Sequence, residues 1–480
     1  MSTLLIKNAA LAATFDDSMR RIENCDIFVR DNRIAAIGSK LDIKDADKTI
    51  DASGMLVMPG MINCHHHLYQ TLTRNVPRVQ EAELFPWLVN LYEIWANLTP
   101  EALYWSTLTG LGELLLTGCT ATTDHFYCFP DHCPDDLFDQ QIKAARKIGI
   151  RFQPTRGSMS RGKDQGGLPP NRVVQKEDKI LEDCERVIKA YHDPDPLGMI
   201  KIALAPCSPF SVTAELMKNT VELARKYKVR CHTHLAETQD EDAYCLNVYG
   251  KRPYDLMESV GWTGDDIWFA HCVYLNEDEI KRAAASGTGI SHCPASNMLL
   301  HSGAAPIPSM VEHDCAVGLG VDGSASNDAS DMLGEVRQCM LLHRLCCGVH
   351  SMPAERALKL ATRGGARVLG YKELGKLEVG AGADIIGISL RKLGYAGSLS
   401  DPVATVVHCG DSHIVDFSVV NGQQVVKDGK LCLMDEMEIY EEANRWSNYM
   451  LDAAYKATGV DMRSKEGPGF EAPRPSQEKK

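Results

Sequence analysis

The sequence predicts an α/β protein: a (β/α)8 TIM barrel with a small β-sandwich domain built from both chain ends. Two observations carry this. Between residues 59 and 372, short apolar runs alternate with amphipathic helical stretches, and eight such runs are found. On either side of that span the pattern turns to short strands separated by turn residues.

In chain order, residues 1–58 read as strands at 4–7, 26–30, 33–37 and 55–58, with Asp31-Asn32 as a hairpin turn. The barrel, residues 59–372, takes its strands from the run ending at Ile62 and from 118–124, 150–155, 200–206, 229–235, 266–271, 287–292 and 317–322. Amphipathic stretches such as 214–228 fall between them. Residues 373–440 return to strands at 384–388, 414–420 and 423–426, which should rejoin the N-terminal strands. Residues 441–480 read as a C-terminal helix and, from Ser464, a tail rich in Pro, Glu and Lys that lacks a hydrophobic period and is expected to be disordered.

A length of 480 residues suits one large and one smaller domain. The formal net charge of −13 argues against nucleic acid, since polyanion binding needs clustered Lys and Arg. A small neutral substrate fits better. Residues 1–13 lack the basic start and long apolar run of a secretory signal, and no stretch of about 18 apolar residues suggests a membrane span, so a cytoplasmic location is expected. The 17 cysteines are scattered, several in apolar runs, and read as buried free thiols.

A barrel gathers its chemistry at the C-terminal ends of its strands. The first predicted strand runs into His65-His66-His67, and an HxH pair at a strand end turns two imidazoles to one side. The fifth closes in Cys231-His-Thr-His234-Leu-Ala-Glu237, the sixth in Phe269-Ala-His271 and the eighth in Asp322-Gly-Ser. Ionisable groups beside apolar strands are costly unless paired or coordinated. Three imidazoles and one carboxylate suit one divalent metal with a position left for water. Zinc is the first choice and ferrous iron the alternative. The fourth strand carries no lysine where a bridge between two metals would need one, since Lys201 lies too early. The site is therefore read as mononuclear.

The motifs PGMINCHHH, HTHLAET, AHC and GVDGSASND together resemble the amidohydrolase superfamily, in its cytosine/guanine deaminase and triazine hydrolase branch, over residues 1–440. The resemblance implies His65, His67, His234 and Asp322 as metal ligands and Glu237 as proton shuttle. It places His271 facing the water and the developing tetrahedral centre, and Asp322 as acceptor of the water's proton. The implied reaction is hydrolytic deamination of an amino-substituted heterocycle. A homodimer is a further implication of the family.

Segments 67–74, 84–88, 155–160, 166–170, 205–213 and 293–298 are similar to the pocket loops of 8-oxoguanine deaminases, which form urate and ammonia. Gln70 holds the place of a purine-contacting Gln in the related guanine deaminases. Arg156, closing the third strand, is a candidate for a ring carbonyl, and Trp87 and Tyr69 either for stacking on a flat ring or for plain packing. Residues 157–172 read either as a lid or as an ordinary long loop. The same scaffold serves guanine, isoxanthopterin or isocytosine deamination and s-triazine hydrolysis. A non-catalytic metal-stabilised scaffold is the remote alternative, disfavoured by Glu237 and His271 beside an open metal position. The zinc deaminases of nucleic-acid bases carry a Pro-Cys-x-x-Cys signature that does not occur here.

Overall fold

The structure is a computed structural model that describes residues 2–409, 413–467 and 469–471. Its centre is a closed barrel of eight parallel strands: β1 (Met61–Asn63), β2 (Cys119–Phe126), β3 (Arg151–Ser158), β4 (Ala203–Pro206), β5 (Arg230–Leu235), β6 (Ile267–His271), β7 (Gly289–His292) and β8 (Ala316–Leu319). Each predicted run supplied one of them. Closure between β8 and β1 rests on the single pair Leu319↔Asn63. The Asn63 amide reinforces it, donating to Thr122 Oγ1 at 3.0 Å and accepting from the Val321 amide at 2.9 Å.

The chain ends meet in one hydrogen-bonded path of strands. Met55–Pro59, from the N-terminal part, pairs antiparallel with Ile385–Ser389 from the C-terminal part over five residues. Thr3–Ala13, Arg21–Arg30 and Arg33–Ser39 extend the path on one side, and Phe417–Val420, Gln423–Lys427 and Lys430–Leu431 on the other. Gly60 then turns the chain directly into the barrel, where any side chain would strike Thr120. The small domain is locked to the barrel floor by Arg151, whose guanidinium meets the Asp384 carboxylate through two 3.0 Å bonds, both side chains buried.

The helices include α1 (Leu84–Trp95), α2 (Glu177–Tyr191), α3 (Gln239–Tyr249), α4 (Met332–Cys347) and α5 (Glu436–Thr458), of which α1 lines the site. None is long and apolar enough to cross a membrane, among the described residues. The seventeen cysteines are free thiols, most of them buried. Of the tail expected to be disordered from Ser464, residues 464–467 and 469–471 run beneath Arg78 and Asn90: Arg78 donates to the Gly467 carbonyl at 2.7 Å, and Asn90 bonds the Phe470 backbone at 3.0 and 3.1 Å. Residues 468 and 472–480 lie outside the described residues. The segment 157–172 is pinned to α1, where Lys163 and Arg172 both pair with Glu93.

The eighth strand is shorter than its predicted 317–322. It stops at Leu319, and Asp322 stands beyond it with φ 62°, a left-handed turn that aims its carboxylate back over the barrel mouth. The fourth begins at Ala203 rather than at residue 200, which leaves Lys201 on the barrel floor over the Tyr371 ring.

Candidate metal centre

At the mouth of the barrel, His65 and His67 follow β1, His234 sits in β5 and Asp322 follows β8, and these residues meet, with His125 of β2 grouped beside the three imidazoles and its Nε2 bonded to the Ala205 carbonyl at 3.0 Å. The Asp322 Oδ1 lies 3.1 Å from His65 Nε2 and 3.3 Å from His67 Nε2, while His67 Nε2 and His234 Nε2 are 3.1 Å apart. All four side chains are buried.

The other ring nitrogens decide what fits there. His67 Nδ1 is 2.7 Å from the His125 carbonyl and His234 Nδ1 is 2.6 Å from the Cys207 carbonyl, so both must carry the proton. His232 Nδ1 donates to the Trp268 carbonyl at 2.9 Å, so its Nε2 accepts from His65 Nδ1 at 2.8 Å. Every Nε2 therefore presents a lone pair, and His65 Nε2 has no hydrogen-bond partner. Two such lone pairs 3.1 Å apart repel unless a cation lies between them. A proton fills the gap poorly, because burial pushes His234 well below the ordinary imidazole range. A divalent cation fits, with its histidines oriented from behind as ligating imidazoles require. Burial opposes the charge of Asp322, which the same cation, together with the Gly323 amide donating to Oδ1 at 2.7 Å, would offset.

His292, Cys339 and His343 form a second buried group with ligand-type atoms. It lies between β7 and α4, and both His292 Nδ1 and His343 Nδ1 lack any partner. The orienting bonds that mark the first group are missing, and the His292–His343 contact at 3.0 Å suffices as a hydrogen bond between two neutral rings.

Beside the ligand set, His271 Nε2 stands 3.5 Å from Glu237 Oε2 and 3.9 Å from Asp322 Oδ2. Asn297 Nδ2 donates to His271 Nδ1 at 3.0 Å, so the ring offers its Nε2–H to the site. Burial pushes the His271 imidazole down to about 3, which keeps it neutral. Burial, with the nearby negative charges of Asp322 and Glu241, holds the Glu237 carboxyl well above its ordinary value. Ser302 Oγ donates to its Oε1 at 3.4 Å. A neutral N–H donor, a carboxyl of high proton affinity and the Asp322 carboxyl thus share one cavity, a set suited to acid–base hydrolysis.

That cavity runs from the ligand set outward between α1 and the loops after β4, β7 and β8. Trp87, Leu88 and Tyr92 from α1, with Tyr127 and Phe210, form aromatic and apolar walls. Gln70 joins them: its Nε2 donates to the Tyr69 hydroxyl at 3.4 Å, while its Oε1 is buried with no partner. Gly323 makes room for it, since a Cβ there would come within 1.9 Å of that oxygen. Trp87 also reaches the lining, its indole N–H spent on the Ala325 carbonyl at 3.0 Å.

Arg156 does not join them. Its guanidinium is buried on the outer side of β3, donating to Asp183 of α2 at 2.7 Å, to Gln175 at 2.9 Å and to the Gly157 carbonyl at 2.5 Å, and it stacks 3.9 Å over Phe129. The reason is strand parity: Arg156 is in register with Phe126, whereas its neighbour Thr155 is in register with His125. Sequence reading missed His232, Asn297 and Glu241. For His232 a signal existed, since it shares strand parity with His234.

The chain matches the model of the amidohydrolase family over residues 56–432. It is 45% identical to the 8-oxoguanine deaminase of Pseudomonas aeruginosa over 405 residues, 84% of this chain and 90% of that one. It is 34% identical to the hydroxydechloroatrazine ethylaminohydrolase of a Pseudomonas species, covering 96% and 99%. Among solved structures it is similar to the atrazine chlorohydrolase of Arthrobacter aurescens complexed with zinc, with a TM-score of 0.89, 34% identity and coverage of 92% of this chain and 100% of that one. With the barrel, the clustered imidazoles at its mouth and these relatives in agreement, the chain belongs to the amidohydrolase family and is a hydrolase acting on C–N bonds.

Proposed function

We propose that this chain is a mononuclear, zinc-dependent aminohydrolase that converts 8-oxoguanine and water to urate and ammonia. The observation that carries the reaction class is the approach of Glu237 and His271 to within 3.5 Å of each other beside His65, His67, His234 and Asp322. Substrate class rests on the cavity. Among the described residues no Lys or Arg lines it, so it suits a neutral, flat ring held between aromatic walls, and the bare Gln70 Oε1 seeks an N–H donor on the ring edge. The relative with 45% identity acts on such a ring by its name.

A divalent cation on the four donors would supply a Lewis acid that makes bound water acidic near neutral pH. Asp322 accepts a proton from the water. His271, fixed by Asn297, donates its Nε2–H to the water oxygen that adds to the amino-bearing carbon and so orients its attack. Glu237 hands a proton to the adjacent ring nitrogen, so that no negative charge builds there; it takes the remaining proton of the added hydroxyl as the carbonyl forms, and the departing amine receives the proton that Asp322 took from the water. The C–N bond breaks, ammonia leaves, and a carbonyl replaces the amino group.

Ammonia release from a panel of 8-oxoguanine, guanine, isoxanthopterin, isocytosine and amino-s-triazines tests the assignment. Urate from 8-oxoguanine, at a kcat/KM well above that for guanine, is the expected result. Turnover confined to a pterin, pyrimidine or triazine would overturn the substrate and leave the chemistry of the site standing.

A further inference from the structure

Glu241, in the first turn of α3, does not line the cavity, yet its side chain is 1% exposed and both of its oxygens are engaged. Oε1 accepts the Ala236 amide at 2.9 Å and Oε2 accepts the Glu237 amide at 3.0 Å. No Lys, Arg or His is paired with it among the described residues, so two backbone N–H groups are what hold a buried carboxylate in place. The segment it grips is unusual. β5 ends at Leu235, and Ala236 takes φ 51°, a left-handed conformation that an alanine adopts only under constraint. The same segment is held on its carbonyl side by the chain after β6: the Cys272 amide donates to the Leu235 carbonyl at 3.0 Å and the Tyr274 amide to the Ala236 carbonyl at 2.9 Å. The turn that follows the third histidine is thereby clamped from two directions, and Glu237 leaves it with its carboxyl aimed at His271.

We propose that Glu241 is a positioning residue for Glu237: its carboxylate holds the left-handed turn at Ala236 and so sets the direction in which the Glu237 carboxyl enters the site. A carboxylate is suited to this because it accepts two N–H groups at once, whereas a glutamine in its place meets one of them with its own NH2. Burial pushes the Glu241 carboxyl itself up to about 7, and to the extent that it is ionised it raises the proton affinity of the Glu237 carboxyl in turn. The inference rests on the reading of Glu237 as the proton carrier.

The test is a double-mutant cycle on the metal-loaded protein with the substrate found in the ammonia screen. Glu241→Gln is expected to keep its metal and to change KM little while kcat falls on the order of tenfold, the scale of a misplaced acid–base group. In the Glu237→Gln background the same substitution should cost less than about twofold, because the group it positions is already gone. Ala236→Gly, which adopts the left-handed turn without help, should restore part of the kcat lost in Glu241→Gln. An equal loss in both backgrounds, or wild-type kcat in Glu241→Gln, would overturn the proposal while leaving Glu237 in its role. Normal turnover of Glu237→Gln alone would instead overturn the reading beneath it, and the proposal with it. Should Glu241→Gln not fold, Glu241→Asp takes its place in the cycle, keeping the charge but too short to reach both amides.

Discussion

His65 Nδ1 donates to His232 Nε2 at 2.8 Å, and the His232 ring is stacked at 4.5 Å and 12° on the Trp268 indole and donates its Nδ1–H to the Trp268 backbone carbonyl. The lone pair that His65 turns into the site is therefore set by a residue that never reaches the site. Replacing His232 by Phe keeps the stack and removes the acceptor. The expected result is a folded protein whose metal affinity is lower by roughly 10- to 100-fold, the usual cost of losing such an orienting partner. Competition with a chelator measures it, and unaltered retention would show that the Trp268–His232–His65 chain does not tune the centre.

His232 also shows how far strand logic reaches. The barrel and its four clustered donors were legible because apolar runs mark the strands and polar residues at their ends must converge. His65-x-His67 was read by parity, and His232-x-His234 obeys the same rule, so that residue was within reach. Arg156 was misplaced for want of the same check: Phe152, Pro154 and Arg156 alternate with Gln153 and Thr155, and a parity count sends Arg156 outward. Asp322 was found as a residue but not as a turn, since its aim depends on a left-handed φ. Glu241 was beyond reach, because a carboxylate bound to two backbone amides leaves no pattern in the sequence.

Glu237→Gln separates proton transfer from metal binding. The amide has nearly the shape of the carboxyl, and Glu237 is not among the donors of the ligand set. Metal content and fold should persist while kcat drops by about a hundredfold or more. Near-normal turnover in the metal-loaded variant would remove Glu237 from the reaction.

Gly323→Ala tests whether Gln70 reads the ring. The added methyl would sit 1.9 Å from Gln70 Oε1 and 2.5 Å from its Cδ, so the amide must swing aside. A rise in KM of roughly five- to tenfold, with metal retained, corresponds to the loss of one hydrogen bond to substrate. An unchanged KM would mean that Gln70 is a wall residue only.

Arg156→Ala should act on stability rather than on selectivity. Removing the guanidinium leaves Asp183 with Arg186 alone and empties the space over Phe129, a loss of about 3 kcal/mol for a broken buried pair. The denaturation midpoint should fall, and the ratio of kcat/KM for 8-oxoguanine to that for guanine should stay as in the wild type. A narrowed ratio would bring Arg156 back to the substrate.

Glu335 gives the fold a pH dependence of its own. From α4 it accepts the Ala295 amide at 2.9 Å and the Asn327 Nδ2 at 3.1 Å, tying the loops after β7 and β8 together behind the site. Burial pushes its carboxyl up to about 8, whereas in the unfolded chain it titrates near the ordinary value of about 4.3. Below the lower value both states hold the proton. Between the two values only the folded state holds it, so unfolding releases a proton and stability falls as pH rises, until the folded group also ionises. Glu335→Gln fixes a neutral side chain at this position and removes that component. Denaturant melts at pH 5 and pH 8 should therefore differ less in the variant than in the wild type. An undiminished difference would show that Glu335 is already ionised in the folded protein at pH 5, with the two N–H donors outweighing its burial.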